Sequence, residues 1–279
     1  MRGIAQKLGY DNRYRVDREQ RKAIDRLADI LLAWEQNARQ QQVAQLLRSL
    51  DKEPTYDALF GAEKQVERLK QALLATDHAW LIAVTGLGGL GKTAVADQTI
   101  RQIIPTLHFQ QIVAIYLEPG NLPLANLRAL LARQLGLPAA SEAETERQLI
   151  QCLRSRPSLV FIDGFEDDIS HLEEGLSKWA NPSKILITSR HRPVISHTFF
   201  AQPITSLPMT AVADLIRQHA RKIGRLELAA ATDEQIGLIH HKVGGNPLAL
   251  KLIVGLSDKH TIPAILNDLT ELKIEAKIE

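Results

Sequence analysis

The chain has 279 residues, of which 45% are hydrophobic and 24% charged, the composition of an ordinary soluble protein with room for a sizeable core. Its formal net charge of +2 is too small to make nucleic acid or an anionic membrane an obligatory partner. A single cysteine, Cys152, excludes an internal disulfide and a cysteine-based zinc site. The sequence shows neither a signal peptide nor a run of about 18 apolar residues. We therefore expect an intracellular, cytoplasmic protein with no membrane partner.

Residues 1–54 are predicted to form an N-terminal helical segment. Between Arg18 and Leu50, apolar residues recur mostly every three or four positions, while charged residues and glutamines fill the other positions. This spacing predicts one long helix or a helical hairpin. The helix should end at the polar linker Asp51–Pro54, because proline disfavours helical geometry in the residue before it.

The same segment carries a local excess of positive charge. Residues 13–26 contain six basic and three acidic side chains, and Ile4–Tyr10 is weakly similar to a helix-turn-helix segment. Such features can contact the phosphates of nucleic acid. A solvated face of an amphipathic helix accounts for the same charges. We therefore expect a linker helix or a partner-binding helix here, and nucleic-acid binding is the alternative.

Residues 55–204 alternate between short apolar runs and helical patterns. The apolar runs, which predict buried strands, are Trp80–Thr85, Ile112–Leu117, Leu159–Asp163 and Ile185–Thr188. The helical patterns are Ala62–Leu74, Ala94–Ile104, Leu124–Leu135, Glu142–Leu153 and Ile169–Trp179. Near-continuous apolar strands that alternate with helices predict an α/β fold, in which helices cover both faces of a parallel sheet.

Residues 205–279 contain helical patterns and no further strand signal. The patterns are Ala211–Lys222, Asp233–Val243, Pro247–Leu256 and a weaker one over Ile262–Leu272. We predict a small all-α domain that packs behind the sheet.

The segment Gly86–Thr93 satisfies the phosphate-loop pattern G-x-x-x-x-G-K-[ST], and it lies between a predicted strand and a predicted helix. Its glycines let the backbone turn amide hydrogens inward around phosphates, and the helix adds its positive dipole end. Lys92 would then reach the β- and γ-phosphates, and the Thr93 hydroxyl would bind Mg²⁺. The alternative is a glycine-rich turn that arose by chance. The flanking elements favour a site for a nucleoside triphosphate with magnesium.

Acidic and basic residues follow the later strands. Asp163 ends a buried strand, as expected of an aspartate that orients magnesium, although aspartate also starts turns. Gly164 cannot act as a base. Glu166, or the adjacent acids at 167 and 168, can orient a water molecule or cap the next helix. Arg190 follows another strand, where it can contact the γ-phosphate or remain a surface arginine.

Over residues 56–272 these motifs resemble the NB-ARC branch of the STAND class of P-loop ATPases. Leu59-Phe60-Gly61-Ala62-Glu63 is similar to a hydrophobic-Gly-Arg-Glu motif whose backbone holds adenine, with Ala62 in place of the arginine. The resemblance implies a P-loop NTPase fold and a magnesium site at Thr93 and Asp163. It implies nucleotide contacts from Phe60, Gly61, Gly86, Gly88, Gly89, Leu90, Gly91, Lys92, Thr93 and Ala94.

Two further motifs extend the resemblance. Thr188-Ser189-Arg190 is similar to a Thr-[Ser/Thr]-Arg sensor, which implies that Arg190 contacts the γ-phosphate. Gly245–Leu250 resembles a Gly-x-Pro-Leu motif in a first helical (ARC1-like) domain, which implies that Pro247 packs on the adenine. Without the resemblance, this segment is a loop with proline in the first helical turn. Gly164 departs from the second acid of the family, which implies slow or absent hydrolysis.

The resemblance implies a signalling switch that binds ATP or ADP. ADP would hold a closed arrangement, and ATP would favour an open one that self-associates. Lys92, Arg190 and Glu166 would be the catalytic residues of a slow ATPase. The alternative is a hydrolysis-poor nucleotide-binding scaffold or a DNA-binding regulator; a small-molecule phosphotransferase is disfavoured because no acceptor-site acid is evident. We expect the chain to be the switch core of a longer protein, since winged-helix and sensor repeats are not in the sequence.

Overall fold

A computed structural model describes residues 13–76, 79–118, 123–166, 169–192 and 199–257. The chain divides into two compact units, residues 1–48 and 49–279. Some of the predictions lie outside the described residues. They concern the helix-turn-helix-like Ile4–Tyr10, the acids Asp167 and Asp168, and the weak helical pattern Ile262–Leu272.

The described part of the first unit is one helix, α1 (Arg13–Arg48). No glycine or proline occurs within it, so no residue in this range favours the turn that a hairpin requires. Of the two alternatives predicted from the sequence, the single long helix is the one observed. None of the helices in the described ranges, including α1, is long and apolar enough to cross a membrane.

The described part of the second unit alternates helices with strands and then continues with helices. The strands are β1 (Leu81–Thr85), β2 (Gln111–Tyr116), β3 (Ser158–Phe165), β4 (Lys184–Ser189) and β5 (Phe199–Pro203). The helices are α2 (Glu63–Leu74), α3 (Lys92–Ile103), α4 (Leu124–Gln134), α5 (Glu142–Ser155), α6 (Glu173–Trp179), α7 (Met209–Lys222), α8 (Leu226–Ala229), α9 (Asp233–Val243) and α10 (Pro247–Leu256). Short 3₁₀ turns, Ile104–Thr106 and Ile169–Leu172, follow α3 and precede α6.

The strands form one parallel sheet in the order β2-β3-β4-β1-β5. Ala83 of β1 lies opposite Ile187 of β4 and Ala201 of β5. All residues of β1 are buried, because this strand has neighbours on both sides and helices on both faces. Parallel strands end at a common edge, so the segments that follow β1, β3 and β4 meet there.

The edge strand β5 is absent from the sequence prediction. Its sequence, Phe-Phe-Ala-Gln-Pro, has an apolar run of only three residues, and only Phe199 and Gln202 are buried. An edge strand pairs on one side only, so Pro203 can end it without removing a hydrogen bond that the sheet needs. This segment forms a strand because it pairs with β1, not because of a pattern in its own sequence.

Helices cover both faces of the sheet, which confirms the predicted fold class. On one face, α4, α5 and α6 pack on alternate strand residues, such as Val160 and Ile187, through Leu131, Leu153 and Trp179. On the other face, α3 packs on β1 and β4, and α2 packs on α3 and β5. The phosphate-loop segment therefore connects a central strand to a helix that is fixed against the sheet.

The helices after residue 204 pack around a core of their own. Val212 and Ile216 of α7, Ile239 of α9 and Leu250 of α10 belong to it. Thr232 and Gln235 form a capping box at the start of α9, which satisfies backbone N–H groups that would otherwise lack a partner. The short helix α8 was not predicted, because four residues are too few to show helical periodicity.

A polar network joins the three helices on one face of the sheet. Trp179 Nε1 of α6 donates to Glu146 Oε1 of α5 at 2.8 Å. Arg128 of α4 donates to Glu146 Oε2 at 3.1 Å and to Glu142 Oε2 at 2.7 Å. The Glu146 side chain is 23% exposed, whereas that of Glu142 is 80% exposed.

We predict that Glu146→Ala lowers the free energy of unfolding by about 1–3 kcal/mol, because it leaves the Trp179 N–H group and one side of Arg128 unpaired in a poorly solvated place. Glu142→Ala removes a partner of the same arginine at an exposed position, so its cost should stay below about 1 kcal/mol. Urea unfolding of both variants measures the difference. Equal effects would contradict the structural role given to Glu146.

Candidate functional site

The segment Gly86–Thr93 connects the end of β1 to α3 at the carboxyl edge of the sheet. Gly91 occupies the N-cap position of α3 in a left-handed conformation, and Lys92 is the first residue of the helix. The free N–H groups at this helix start attract anions. The observed order of strand, glycine loop and helix is the one that a phosphate loop requires.

The Lys92 side chain spans the loop. Its ammonium Nζ donates to the carbonyl oxygens of Gly86 at 2.7 Å and Leu87 at 2.9 Å. Burial lowers the pKa of Lys92, the positive charge of Arg190 lowers it further, and Asp163 raises it. The loop therefore holds a partly desolvated cation beside a second cation and a carboxylate, which suits a ligand with several negative charges.

Two threonine hydroxyls converge on one oxygen of Asp163. Thr93 Oγ1 of α3 donates to Asp163 Oδ1 at 2.7 Å, and Thr188 Oγ1 of β4 donates to the same oxygen at 2.6 Å. The N–H group of Gly164 donates to Thr188 Oγ1 at 2.9 Å. A hydroxyl and a carboxylate at this separation are oxygen ligands of the kind that Mg²⁺ takes. The predicted pair Thr93 and Asp163 thus fits such an ion, and Thr188 is a supporting residue that the sequence analysis did not identify.

Gly164, which follows Asp163, has a backbone conformation that favours glycine. Its φ is +85°, and an added Cβ would lie 3.2 Å from the carbonyl oxygen of Leu117. A side chain here would therefore be strained and crowded. Gly164 stands where the family has its second acid, and the backbone of β3 has at this position a conformation that favours glycine.

Glu166 and Arg190 lie beside this edge and contact each other. Arg190 Nη2 is 3.4 Å from Glu166 Oε1, and both side chains are partly exposed. Arg190 is close enough to Lys92 for its positive charge to lower the pKa of that lysine. Glu166 is oriented by the arginine, and its role as a base stays a prediction.

A cavity of about 390 Å³ opens beside the loop. Its walls include apolar side chains from three regions, Leu59 and Phe60 before α2, Leu215 of α7, and Pro247 and Leu248 of α10. Of the predicted nucleotide contacts, those that line the cavity are Phe60, Gly89, Leu90, Gly91, Lys92, Thr93, Ala94 and Pro247. An apolar cleft that leads to a cationic loop can hold a flat heterocycle at one end and phosphates at the other.

The remaining predicted contacts take other positions. Gly61 packs closely on α7, where an added Cβ would lie 2.8 Å from Ala211 Cβ. The carbonyl oxygen of Gly86 accepts from Lys92, and that of Gly88 accepts from Asn246 Nδ2 at 2.9 Å. These three glycines shape the walls of the site without lining the cavity.

The segment before α2 is fixed over the cavity by polar contacts that the sequence analysis did not identify. Tyr56 Oη donates to Asp97 Oδ2 of α3 at 2.7 Å, and burial, followed by the hydrogen bond to Asp97, raises the pKa of Tyr56. Lys222 of α7 donates to both oxygens of Asp57, at 2.8 and 2.6 Å, which lowers the pKa of Asp57. Both partners of each pair are distant in sequence, so no local motif reveals them.

Comparison with known proteins agrees with this geometry. The chain is 28% identical over 209 residues to the TMV resistance protein N of Nicotiana glutinosa, covering 70% of this chain and 18% of that protein. It is 26% identical over 238 residues to a putative disease resistance protein of Arabidopsis thaliana, covering 78% of this chain and 26% of the relative. The chain thus spans about a quarter or less of the length of these two relatives.

A solved structure shares the fold. It is a signal transduction ATPase with numerous domains (STAND) and a tetratricopeptide repeat sensor, from Pyrococcus horikoshii, with a TM-score of 0.55 and 14% identity over 78% of this chain and 33% of that one. The family model of the NB-ARC domain matches residues 62–207, more than half of the sequence. The chain therefore belongs to the NB-ARC domain family.

Proposed function

We propose that this chain binds an adenine nucleotide with Mg²⁺ and acts as a nucleotide-dependent switch in signal transduction. One observation carries the proposal: the apolar cavity lies directly beside the loop that Lys92 spans and beside the Thr93–Asp163 pair. The named relatives, which are disease resistance proteins and a signal transduction ATPase, support a signalling role.

The phosphates would be held by the backbone N–H groups of the loop and by the Lys92 ammonium, which burial partly desolvates. Thr93 and Asp163 would hold Mg²⁺, which supplies positive charge to neutralise the phosphate oxygens. Thr188 keeps the Asp163 carboxylate in place through its 2.6 Å hydrogen bond.

The base would occupy the apolar part of the cavity. Phe60 and Pro247 lie on its walls, and Tyr56 and Asp57 hold the wall that precedes α2. We infer an adenine ring from the family, in which the backbone at Phe60, a residue that lines the cavity, would hydrogen-bond the edge of the ring. Flat apolar walls bind a purine largely through the area they remove from water.

Switching would follow from the position of this cavity between two parts of the second unit. We assign residues 55–204 to a nucleotide-binding domain and residues 205–279 to a helical domain, and both supply cavity walls. A ligand shifts an equilibrium between arrangements only through contacts that differ between them. Arg190, beside Lys92, is the residue that would contact a γ-phosphate, so that ADP favours a closed arrangement and ATP an open, self-associating one.

Hydrolysis would be slow. Gly164 supplies no acid directly after Asp163, and its left-handed backbone and the nearby carbonyl oxygen of Leu117 disfavour a side chain there. Glu166 is the remaining candidate for orienting water. The same observation supports the second candidate function, a scaffold that binds nucleotide with little or no turnover. Single-turnover measurement with labelled ATP separates the two.

We predict that Lys92→Ala weakens ADP and ATP binding by about 10- to 100-fold, because the variant loses charge-assisted hydrogen bonds to phosphate. Isothermal titration calorimetry on the full chain measures the change. Lys178→Ala removes the same charge from an exposed ion pair with Glu174 on α6 and should bind as the wild type does. Unchanged affinity in a folded Lys92→Ala protein would refute the proposed site.

Asp163→Asn should reduce the Mg²⁺ affinity of the nucleotide complex by about 10- to 100-fold, since a neutral amide replaces a carboxylate in or next to the metal shell. The variant keeps the shape of the side chain, so binding of ADP in EDTA should be close to normal. Asp233→Asn is the matched control, because Asp233 is an exposed aspartate that pairs with Arg217 away from the cavity. If Mg²⁺ dependence survives in Asp163→Asn, the metal assignment is wrong.

Arg190→Ala should weaken binding of a non-hydrolysable ATP analogue by about tenfold and leave ADP affinity nearly unchanged, since only the γ-phosphate gains from the arginine. Competition against a fluorescent ADP analogue measures both affinities. Arg192→Ala, two residues further along at an exposed position, should change neither. A parallel loss of ADP and ATP affinity would contradict a γ-phosphate sensor.

A further inference from the structure

The start of α10 holds the phosphate loop through consecutive backbone carbonyls. Asn246 Nδ2 donates to the carbonyl oxygen of Gly88 at 2.9 Å, and the N–H group of Leu248 donates to that of Gly89 at 3.3 Å. Asn246 is buried, with 9% of its surface exposed, and lies 158 residues from Gly88 in sequence. The helical region is therefore hydrogen-bonded to the centre of the loop.

The same asparagine also caps α10. Its Oδ1 accepts from the N–H groups of Leu248 at 3.0 Å and Ala249 at 3.3 Å. An amide nitrogen only donates and an amide oxygen only accepts, so one orientation of the side chain satisfies both sets of partners. The helix cap thus fixes the direction in which Nδ2 points toward the loop.

The planar trans peptide bond converts these contacts into an orientation of the loop amides. In each peptide group the C=O of one residue and the N–H of the next point in opposite directions. When Gly88 C=O points to Asn246, the Gly89 N–H group points away from α10. Likewise, the contact between Gly89 C=O and Leu248 turns the Leu90 N–H group away from α10, toward the interior that a phosphate loop forms with its amide hydrogens.

Gly89 allows the helix and loop to approach this closely. Its φ is +76°, and an added Cβ would lie 2.7 Å from Asn246 Oδ1 and 2.9 Å from Leu248 Cβ. Any other residue would therefore separate α10 from the loop or distort the loop. Gly89 therefore allows both the turn of the loop and its close contact with the helical region.

We propose that Asn246 is a positioning residue for the phosphates of the bound nucleotide. By holding the carbonyl of Gly88 outward, and with Leu248 that of Gly89, it presets the amide hydrogens of Gly89 and Leu90 for a diphosphate or triphosphate. This inference rests on the proposed function. Because binding free energies are reciprocal, bound ADP also strengthens the docking of α10.

The test compares ADP with adenosine on the full chain carrying Asn246→Ser. Serine is a good N-cap and keeps α10 folded, but its side chain is too short to reach the Gly88 carbonyl. We expect ADP affinity to fall about five- to tenfold, the typical effect of one lost hydrogen bond. Adenosine affinity should stay at the wild-type value, since adenosine has no phosphate. Titration calorimetry or competition with a fluorescent ADP analogue measures both.

Two further variants keep the test decisive. Asn246→Asp retains a strong cap and loses the donor to Gly88, so it too should lose ADP affinity while remaining folded. Thr232→Ala removes the cap of α9, where Thr232 hydrogen-bonds with Gln235, and should lower the melting temperature without changing ADP affinity.

Wild-type ADP affinity in both Asn246 variants would overturn the role of Asn246 while leaving the nucleotide site intact. Equal loss of ADP and adenosine affinity would also overturn it, because that pattern indicates general damage to the cavity. If the wild-type chain binds neither ligand, the proposed function itself fails.

Discussion

The site depends on a single carboxylate oxygen that two hydroxyls share. Asp163 Oδ1 accepts from Thr93 at the start of α3 and from Thr188 at the end of β4. Three chain segments that are far apart in sequence therefore meet at one point on the sheet edge. This arrangement fixes the first turn of α3, and with it the end of the phosphate loop, relative to β3 and β4. Because α3 also packs on β1 and β4, the loop has little freedom at its helical end.

The loop is held from its other side by the helical region, which gives the cavity two kinds of wall. The start of α3 supplies Lys92 and Thr93, and Asp163 of β3 contacts Thr93 beside the cavity; these groups suit phosphates and a metal ion. The helical region supplies Pro247 and Leu248, which suit an apolar ring. A ligand that carries both phosphates and an apolar ring gains binding free energy from both walls at once. Phosphate alone or a base alone gains it from one wall. Under the proposed function, this division would let a nucleotide couple the sheet to the helices.

Much of the fold was predictable because its signals are local. Buried parallel strands such as β1 and β3 are continuous apolar runs, and the loop between Gly86 and Thr93 carries its chemistry within eight residues. The family assignment was predictable for the same reason, and the family match confirms it. The nucleotide, metal and sensor roles of the individual residues stay predictions.

Other features were not predictable because they depend on tertiary contacts. β5 is a strand because β1 offers it a free edge, not because Phe-Phe-Ala-Gln-Pro favours one. The sequence placed Thr188 in a sensor motif, whereas in the structure its hydroxyl donates a hydrogen bond to Asp163. Asn246 was predicted only as part of a loop before a helical turn, and in the structure its side chain caps α10. Nothing near it in sequence indicates its distant partner, Gly88. A side chain with one local and one distant role shows only the local one in the sequence.

The strength of the contact between α10 and the loop is suited to switching. A typical hydrogen bond contributes about 0.5–1.5 kcal/mol in water, so the bonds from Asn246 and Leu248 are small compared with the binding energy of a nucleotide. Energetic coupling between sites is typically about 1–3 kcal/mol, the same range. A ligand that contacts both walls can therefore strengthen or release this docking without unfolding either region. A larger apolar interface at this point would hold one arrangement regardless of the nucleotide. The free energy needed to separate it would exceed the free energy that phosphate contacts can supply.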